Sequence, residues 1–328
     1  MPDRTPDPAL PVVALVGTTA TGKSDLALDL TERLARSFAP AEVVNADAMQ
    51  LYRGMDIGTA KLPVDERRGI AHHLLDVLEV TDEASVAAYQ RDAREAIAQI
   101  RADHRIPLLV GGSGLYVRAA LDRLEIPPTD PAVRAGYQEQ LASGGIERLY
   151  ALLRERDPVA AAAIEPRNGR RIVRALEVIE LTGRPFSASM PRKEYVTATV
   201  QLGVRREREE LDARIEVRAR RMWETGLVDE VRSLESRGLR DGATAARAIG
   251  YDQALAQLDG RMSEEEAIAA TAAATRRLVR RQESWFGSDA RITWFDASDR
   301  RVVDRLHEAV AAAVHEADPL MHENGTHD

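Results

Sequence analysis

Eight residues near the start of the chain, GTTATGKS (17–24), have the types and the spacing to hold phosphate. They fit G-x-x-x-x-G-K-[ST]. In that pattern glycines permit a tight turn, backbone N–H groups converge on phosphate oxygens, the lysine adds a cation and the last hydroxyl reaches Mg²⁺. Gly17, Thr18, Thr19, Ala20, Thr21, Gly22, Lys23 and Ser24 are the expected diphosphate-binding residues, with Ser24 as the Mg²⁺ ligand. Whether that diphosphate belongs to a nucleotide is a separate question. A magnesium-binding Asp would be expected at the end of a buried strand beside such a loop, yet IPLLVGG (106–112) runs into Ser113 with no carboxylate. EVVNAD (42–47) supplies Asp47, which could serve as metal ligand or as base. No adenine-binding signature stands out. Phosphate binding is expected; nucleotide turnover is not.

The elements that must position these residues follow from hydrophobic periodicity. PVVALVG (11–17) reads as a buried strand feeding the glycine loop, and Leu26, Leu30 and Leu34 recur at helical spacing after it. EVVNAD reads as a second strand ending at Asp47, residues 85–103 as an amphipathic helix, and 106–112 as a third strand. From 122 to 196 only helices and turns are expected, entered through IPPTDP (126–131) and left through GRPFSASMPRKEY (183–195). Strand character returns at 197–204 and 291–296, with a long helix at 263–287 between them. The expected fold is α/β: a parallel, P-loop NTPase-like sheet core, 10–121 and 197–318, with an inserted helical domain over 122–196. Residues 1–9 and 319–328, including the terminal HENGTHD, read as disordered.

Composition excludes several classes. The 328 residues contain no cysteine, which removes disulfides, thiolate metal sites and cysteine nucleophiles. No apolar run approaches the roughly 18 residues that span a bilayer, and the N-terminus lacks the basic and apolar regions of a signal peptide. A cytoplasmic protein with no membrane partner is expected. The net charge of −8 argues against a wholly basic nucleic-acid binder, but only Lys23, Lys61 and Lys193 are lysines among 45 basic residues. The arginines cluster in RNGRRIVR, RIEVRARR and RRLVRR, and guanidinium forks suit phosphates and bases, so an RNA-binding face is compatible with the acidic total. His72 and His73 are expected to be hydrogen-bonded rather than metal-bound, since adjacent side chains diverge and no third ligand lies nearby.

Beyond Asp47 the chain reads AMQLYRGMDIGTAK (48–61), HHLLD (72–76), GGSGLYVRA (111–119), RRIVRALEV (170–178), RIEVRARRMWETGLVDEV (214–231), RAIGYDQ (247–253) and TRRLVRRQESWF (275–286). With the phosphate loop, this ordered set resembles the tRNA dimethylallyltransferase family, also called tRNA isopentenyltransferases, from about residue 12 to 287. The resemblance implies transfer of a dimethylallyl group from dimethylallyl diphosphate to N6 of adenine 37, beside the anticodon of tRNAs reading codons that begin with U. It implies a helical insertion gripping the anticodon stem-loop, a requirement for Mg²⁺, and no ATP hydrolysis in the transfer. Asp47 then matches the general base. Ser113 matches a threonine that holds the diphosphate and is linked to the base, and Arg214 or Arg218 reaches the diphosphate. The tRNA-binding set is Asp47, Ala48, Met49, Gln50, Arg170, Arg171, Arg174, Arg247, Gly250, Tyr251, Arg280, Arg281 and Gln282, with Trp285 open between packing and RNA contact. The enzyme is expected to be a monomer.

This chain departs from the family pattern at several points. Ala48-Met49 stand where Ser-Arg is common, Thr18 replaces a usual proline, and EPRNGRR replaces a His-Pro-Asn-Asp run. Other readings are an adenylate isopentenyltransferase acting on AMP, ADP or ATP, a small-molecule P-loop kinase, and an RNA-binding switch without covalent chemistry. The long helical insertion and the arginine clusters favour RNA over a free nucleotide.

Overall fold

The computed structural model describes residues 10–189 and 193–316; the segments read above as disordered, 1–9 and 319–328, lie outside it. Strand β1 (Val12–Gly17) is buried at every position and feeds the glycine loop into helix α1 (Lys23–Ser37). There follow β2 (Ala41–Asn45), β3 (His72–His73), α2 (Val86–Ala102), β4 (Ile106–Gly111) and α3 (Gly114–Leu121). Four helices come next: α4 (Pro131–Gly144), α5 (Ile146–Arg156), α6 (Pro158–Ala163) and α7 (Gly169–Thr182). The chain then forms β5 (Thr199–Arg205), α8 (Arg208–Glu224), α9 (Leu227–Glu235), α10 (Tyr251–Leu258), α11 (Glu264–Gly287), β6 (Ile292–Asp296) and α12 (Val302–Glu316).

The sheet order is β3-β2-β4-β1-β5-β6, and every pairing is parallel. Parallel sheets need cover on both faces, which explains the unbroken apolar runs of β1 and β4. Val13 and Leu15 pack with Leu30 and Leu34 of α1 and Leu306 and Val310 of α12 in one cluster. A second cluster joins Leu211 and Ile215 of α8, Leu227 and Val231 of α9, Leu255 of α10 and Val279 of α11. The register pairs Val16 with Gly111, Gly17 with Val204 and Asn45 with Val110, so the strands finish together at one edge. In open α/β sheets that edge is where ligands bind.

Two compact units are present, Asp122–Glu194 and the rest of the chain. The first has its own core of Leu149, Leu153, Ile172, Val173 and Leu176. Asp130 caps α4, with Pro131 in the first turn, and Asp157 caps α6 while accepting from Ser187 N–H and Oγ. Buried Glu177 accepts from Arg134, Arg174 and the Asp130 amide.

Candidate functional site

The phosphate loop sits at the C-terminal end of β1, with Gly22 in the left-handed region (φ +92°) as the cap of α1. Its amides and the α1 N-terminus together form an anion-binding concavity. The loop is held from outside. Thr21 Oγ1 donates to Thr18 O at 2.8 Å and Lys23 Nζ to the same carbonyl at 2.5 Å. Arg214 Nε donates to Ala20 O (2.8 Å) and Arg206 Nε to Thr21 O (3.0 Å). A trans peptide points its C=O and N–H in opposite directions, so fixing these two carbonyls outward turns the Thr21 and Gly22 N–H groups inward. Ala20 has φ +66°, an unfavourable value for a residue with a side chain, which external contacts of this kind keep in place.

Asp47 was expected on a strand end; β2 in fact stops at Asn45. The Asn45 side chain redirects the chain: Oδ1 accepts the Asp47 N–H at 2.9 Å, and Nδ2 donates to Asp47 O and Leu74 O. Such an Asx turn competes with strand pairing and ends the strand two residues early. Asp47 Oδ1 accepts the Met49 N–H at 2.9 Å. Ser113, just past the β4 tip, accepts the Ala48 N–H on Oγ at 3.2 Å, and its own N–H donates to Ala46 O. Base candidate and Ser113 are thus one hydrogen-bonded assembly.

Cations face this carboxylate. Burial pushes the Lys23 ammonium down to about 8, with Asp47 pulling it up and Arg218 pushing it further down. Burial also lowers Arg218, again opposed by Asp47. Arg218 Nη1 donates to Thr19 Oγ1 (3.1 Å) and Nη2 to Thr59 O (3.4 Å). Arg214, by contrast, is exposed and its Nε is committed to the loop backbone. Below Asp47, Tyr89 OH donates to Asn45 O at 2.9 Å, and its ring meets Tyr116 at 4.3 Å between centroids. Burial, then Tyr52 and Asp47, push Tyr116 up to about 12, so both phenols stay neutral.

The remaining sequence-predicted residues divide. Ala48, Met49 and Gln50 lie half-buried beside Asp47, and Gln50 Nε2 donates to Thr59 O, the carbonyl that Arg218 also approaches. Arg247 is exposed in a short turn, while Gly250 caps α10. Tyr251 is fully buried with its hydroxyl on Glu230 at 2.6 Å, and so presents no surface to RNA. On α11, Arg280 and Arg281 are exposed, but Gln282 is buried and bonded to Thr19 N and Gly112 O. Trp285 lies against Gly114 and remains 36% exposed, enough to offer an edge to a ligand. Within the insertion Arg170 and Arg171 are exposed; Arg174 is spent on Pro127 O, Pro128 O and Glu177. His72 Nδ1 meets Ile70 O and His73 Nε2 meets Glu42, as hydrogen-bonded histidines would. Among the described residues no three His, Cys, Asp or Glu cluster as a metal cage. Ser24 is exposed in the first turn of α1, which suits Mg²⁺, an ion that takes few protein ligands beside phosphate oxygens and water.

Arg206, Asn45 and Thr59 were not anticipated. Arg206 also donates to Ala297 O and pairs with Glu210. Its only sequence signal was a position just past a strand adjoining the phosphate-loop strand.

Residues 50–289 match the family model described as IPP transferase. The chain is 58% identical over 314 residues to a tRNA dimethylallyltransferase of Kineococcus radiotolerans, covering 93% of this chain and 99% of that one. It belongs to the tRNA dimethylallyltransferase family. Another member, from Thermobifida fusca, is 58% identical over 91% of this chain and 94% of its own length. Among solved structures, the full-length tRNA isopentenylpyrophosphate transferase of Bacillus halodurans superposes with a TM-score of 0.69 at 39% identity, covering 95% of this chain and 99% of that one. A eukaryotic dimethylallyltransferase acting on tRNA gives 0.73 at 26% identity, over 94% and 79%. Family membership covers both the phosphate loop and Asp47, which lie before the stretch matched by the family model. No helix among the described residues is long and apolar enough to cross a membrane.

Proposed function

We propose that this chain transfers the dimethylallyl group of dimethylallyl diphosphate to N6 of adenine 37 in tRNAs that read codons beginning with U, gripping the anticodon stem-loop. The observation that carries the reading is a single contact in its setting. Arg218 bonds Thr19 of the phosphate loop while lying in the field of Asp47, so leaving-group and base machinery share one edge of the sheet. A phosphate loop with no carboxylate at the tip of β4, and a carboxylate placed instead after β2, suits displacement of diphosphate better than transfer of a phosphoryl group.

The exocyclic amine of adenine is a weak nucleophile because its lone pair is delocalised into the ring. As its N6 bonds to the allylic carbon, the C–O bond breaks and its electron pair leaves with the diphosphate. Asp47 takes the N6 proton; Met49 N–H holds Oδ1, leaving Oδ2 for that transfer. Lys23, Arg218 and the Thr21 and Gly22 amides stabilise the charge that grows on the diphosphate. Ser113 steadies the base loop through the Ala48 amide. Ser24 would hold Mg²⁺, which would supply further neutralisation of that charge. The target base must leave the anticodon-loop stack to reach Asp47, a modest cost in single-stranded RNA. The exposed Arg170, Arg171, Arg247, Arg280 and Arg281 are the RNA-facing cations. A cytoplasmic monomer completes the proposal.

The test offers competing acceptors. With labelled dimethylallyl diphosphate and Mg²⁺, label enters unmodified tRNA and not AMP, ADP or ATP. Label on a free nucleotide would make the chain an adenylate isopentenyltransferase; ATP turnover without prenyl transfer would make it a kinase.

A further inference from the structure

Gln282 belongs to the arginine-rich segment that sequence assigns to RNA, yet its side chain points inward. It is 9% exposed, and its helix is anchored on either side by Val279 and Phe286, 0% and 2% exposed. Its amide makes two contacts distant in sequence. Oε1 accepts the Thr19 N–H at 3.0 Å, and Nε2 donates to Gly112 O at 2.9 Å. At that length only a carboxamide offers acceptor and donor together at neutral pH; ionised Glu lacks the donor and Asn is a methylene short. Gly112 fits the same geometry, because a Cβ there would stand 2.5 Å from Gln282 Nε2.

We propose that Gln282 is a positioning residue, which locks the phosphate loop to the tip of β4 and thereby fixes the leaving-group side of the site against the base side. The inference rests on reading the loop as the diphosphate cradle. On the loop side, holding Thr19 N–H orients the Thr18–Thr19 peptide plane. The Thr18 carbonyl then points the opposite way, toward Thr21 Oγ1 and Lys23 Nζ, which both bond it. Gln282 therefore sets the anchor from which Lys23 reaches phosphate. It also removes Thr19 N–H from the set of amides that phosphate can use, leaving the later ones. On the base side, Gly112 precedes Ser113, whose Oγ holds the Ala48 amide next to Asp47. One side chain thus spans both halves of the reaction, from a helix whose neighbouring Arg280 and Arg281 face solvent.

The test compares wild type with Gln282→Leu, Gln282→Glu and Gly112→Ala. It reads kcat and KM for the donor at saturating tRNA, pyrophosphate affinity, tRNA affinity and thermal midpoint. Losing two buried hydrogen bonds predicts about a tenfold or larger fall in kcat/KM for Gln282→Leu, with weakened pyrophosphate binding and tRNA affinity within about twofold. Gly112→Ala drives a Cβ to 2.5 Å from Gln282 Nε2 and to 3.0 Å from Gly17 O, so it displaces the amide and presses on the phosphate loop as well, and it reproduces that pattern. Gln282→Glu carries a pH signature that a merely structural loss would not. Its ionised carboxylate faces the Gly112 carbonyl, whereas the protonated acid can donate to it. Its rate relative to wild type at the same pH therefore recovers as pH falls, while the ratio for Gln282→Leu stays flat. Unchanged donor kinetics and pyrophosphate affinity, or losses confined to tRNA affinity, overturn the inference. If Gln282→Leu does not fold, Gln282→Glu, which keeps the side chain's size and its bond from the Thr19 N–H, decides by its pH signature. A wild type that binds no pyrophosphate defeats the cradle reading itself; a wild type that binds it, with variants that bind equally, defeats only the role of Gln282.

Discussion

Asp47 is set by three neighbours: Asn45 turns the chain, the Met49 amide holds one carboxylate oxygen, and Ser113 holds the next peptide. Asp47→Asn keeps the size and loses the base, so turnover falls about a hundredfold or more while tRNA affinity is retained, as single-turnover kinetics and a binding titration would read. An unchanged rate would take the base role from Asp47. The two candidate arginines separate by environment. Arg218 is half-buried in the field of Asp47, and Arg214 is exposed and tied to Ala20 O. Arg218→Ala therefore raises the donor KM roughly tenfold or more, and Arg214→Ala raises it less; the reverse ranking would exchange their roles. Lys23, lowered to about 8 by burial, makes diphosphate binding pH-dependent. Below that pH the ammonium is present. Above it the free loop must take up a proton to bind, so pyrophosphate affinity falls as pH rises past about 8, with proton uptake visible as a buffer-dependent heat. Lys23→Met abolishes both effects.

Elements bring these residues together through register. β1, β2 and β4 end level, and the segments that follow them carry Asp47, Ser113 and, at the start of α1, Lys23. The join between β2 and β4 is tight: a Cβ on Gly111 would stand 2.2 Å from Ala46 O. Gly111→Ala forces these backbones apart, lowering stability by about 2 kcal/mol and activity with it, as thermal unfolding and turnover would show. The five longer strands were legible in sequence because buried parallel strands are continuously apolar. The long helix read at 263–287 is found at Glu264–Gly287, where Ser263 and Glu266 form a capping box. The phosphate loop was legible because its function fixes both residue type and spacing. What sequence could not show was direction. Gln282 and Tyr251 stand in segments that resemble RNA-contacting ones, yet point inward, since a helix turns about 100° per residue and only tertiary packing chooses the buried face. Arg206 was hidden among 42 arginines, its role set by contacts to Thr21 and Ala297 that no local pattern encodes. Two-residue β3 carries too little periodicity to be seen.

At the scale of the whole molecule, the chain folds as two compact units. The insertion leaves and rejoins the larger unit at one place, where Val196 N–H donates to Leu121 O at 2.8 Å. Replacing 122–194 by a short glycine linker is therefore expected to leave pyrophosphate binding intact and to weaken tRNA binding about tenfold or more, through loss of arginine–phosphate contacts. Retained tRNA affinity would remove the insertion from RNA recognition. On this mechanism the phosphate loop holds a leaving group rather than an energy source. That role is tested most directly by incubating the protein with labelled dimethylallyl diphosphate, Mg²⁺ and an unmodified tRNA carrying A36-A37-A38, then counting label at adenosine 37 against pyrophosphate released. One pyrophosphate for each N6-dimethylallyl adenosine 37, without added ATP, is the predicted result; no label at that adenosine, or transfer that requires ATP cleavage, would contradict it.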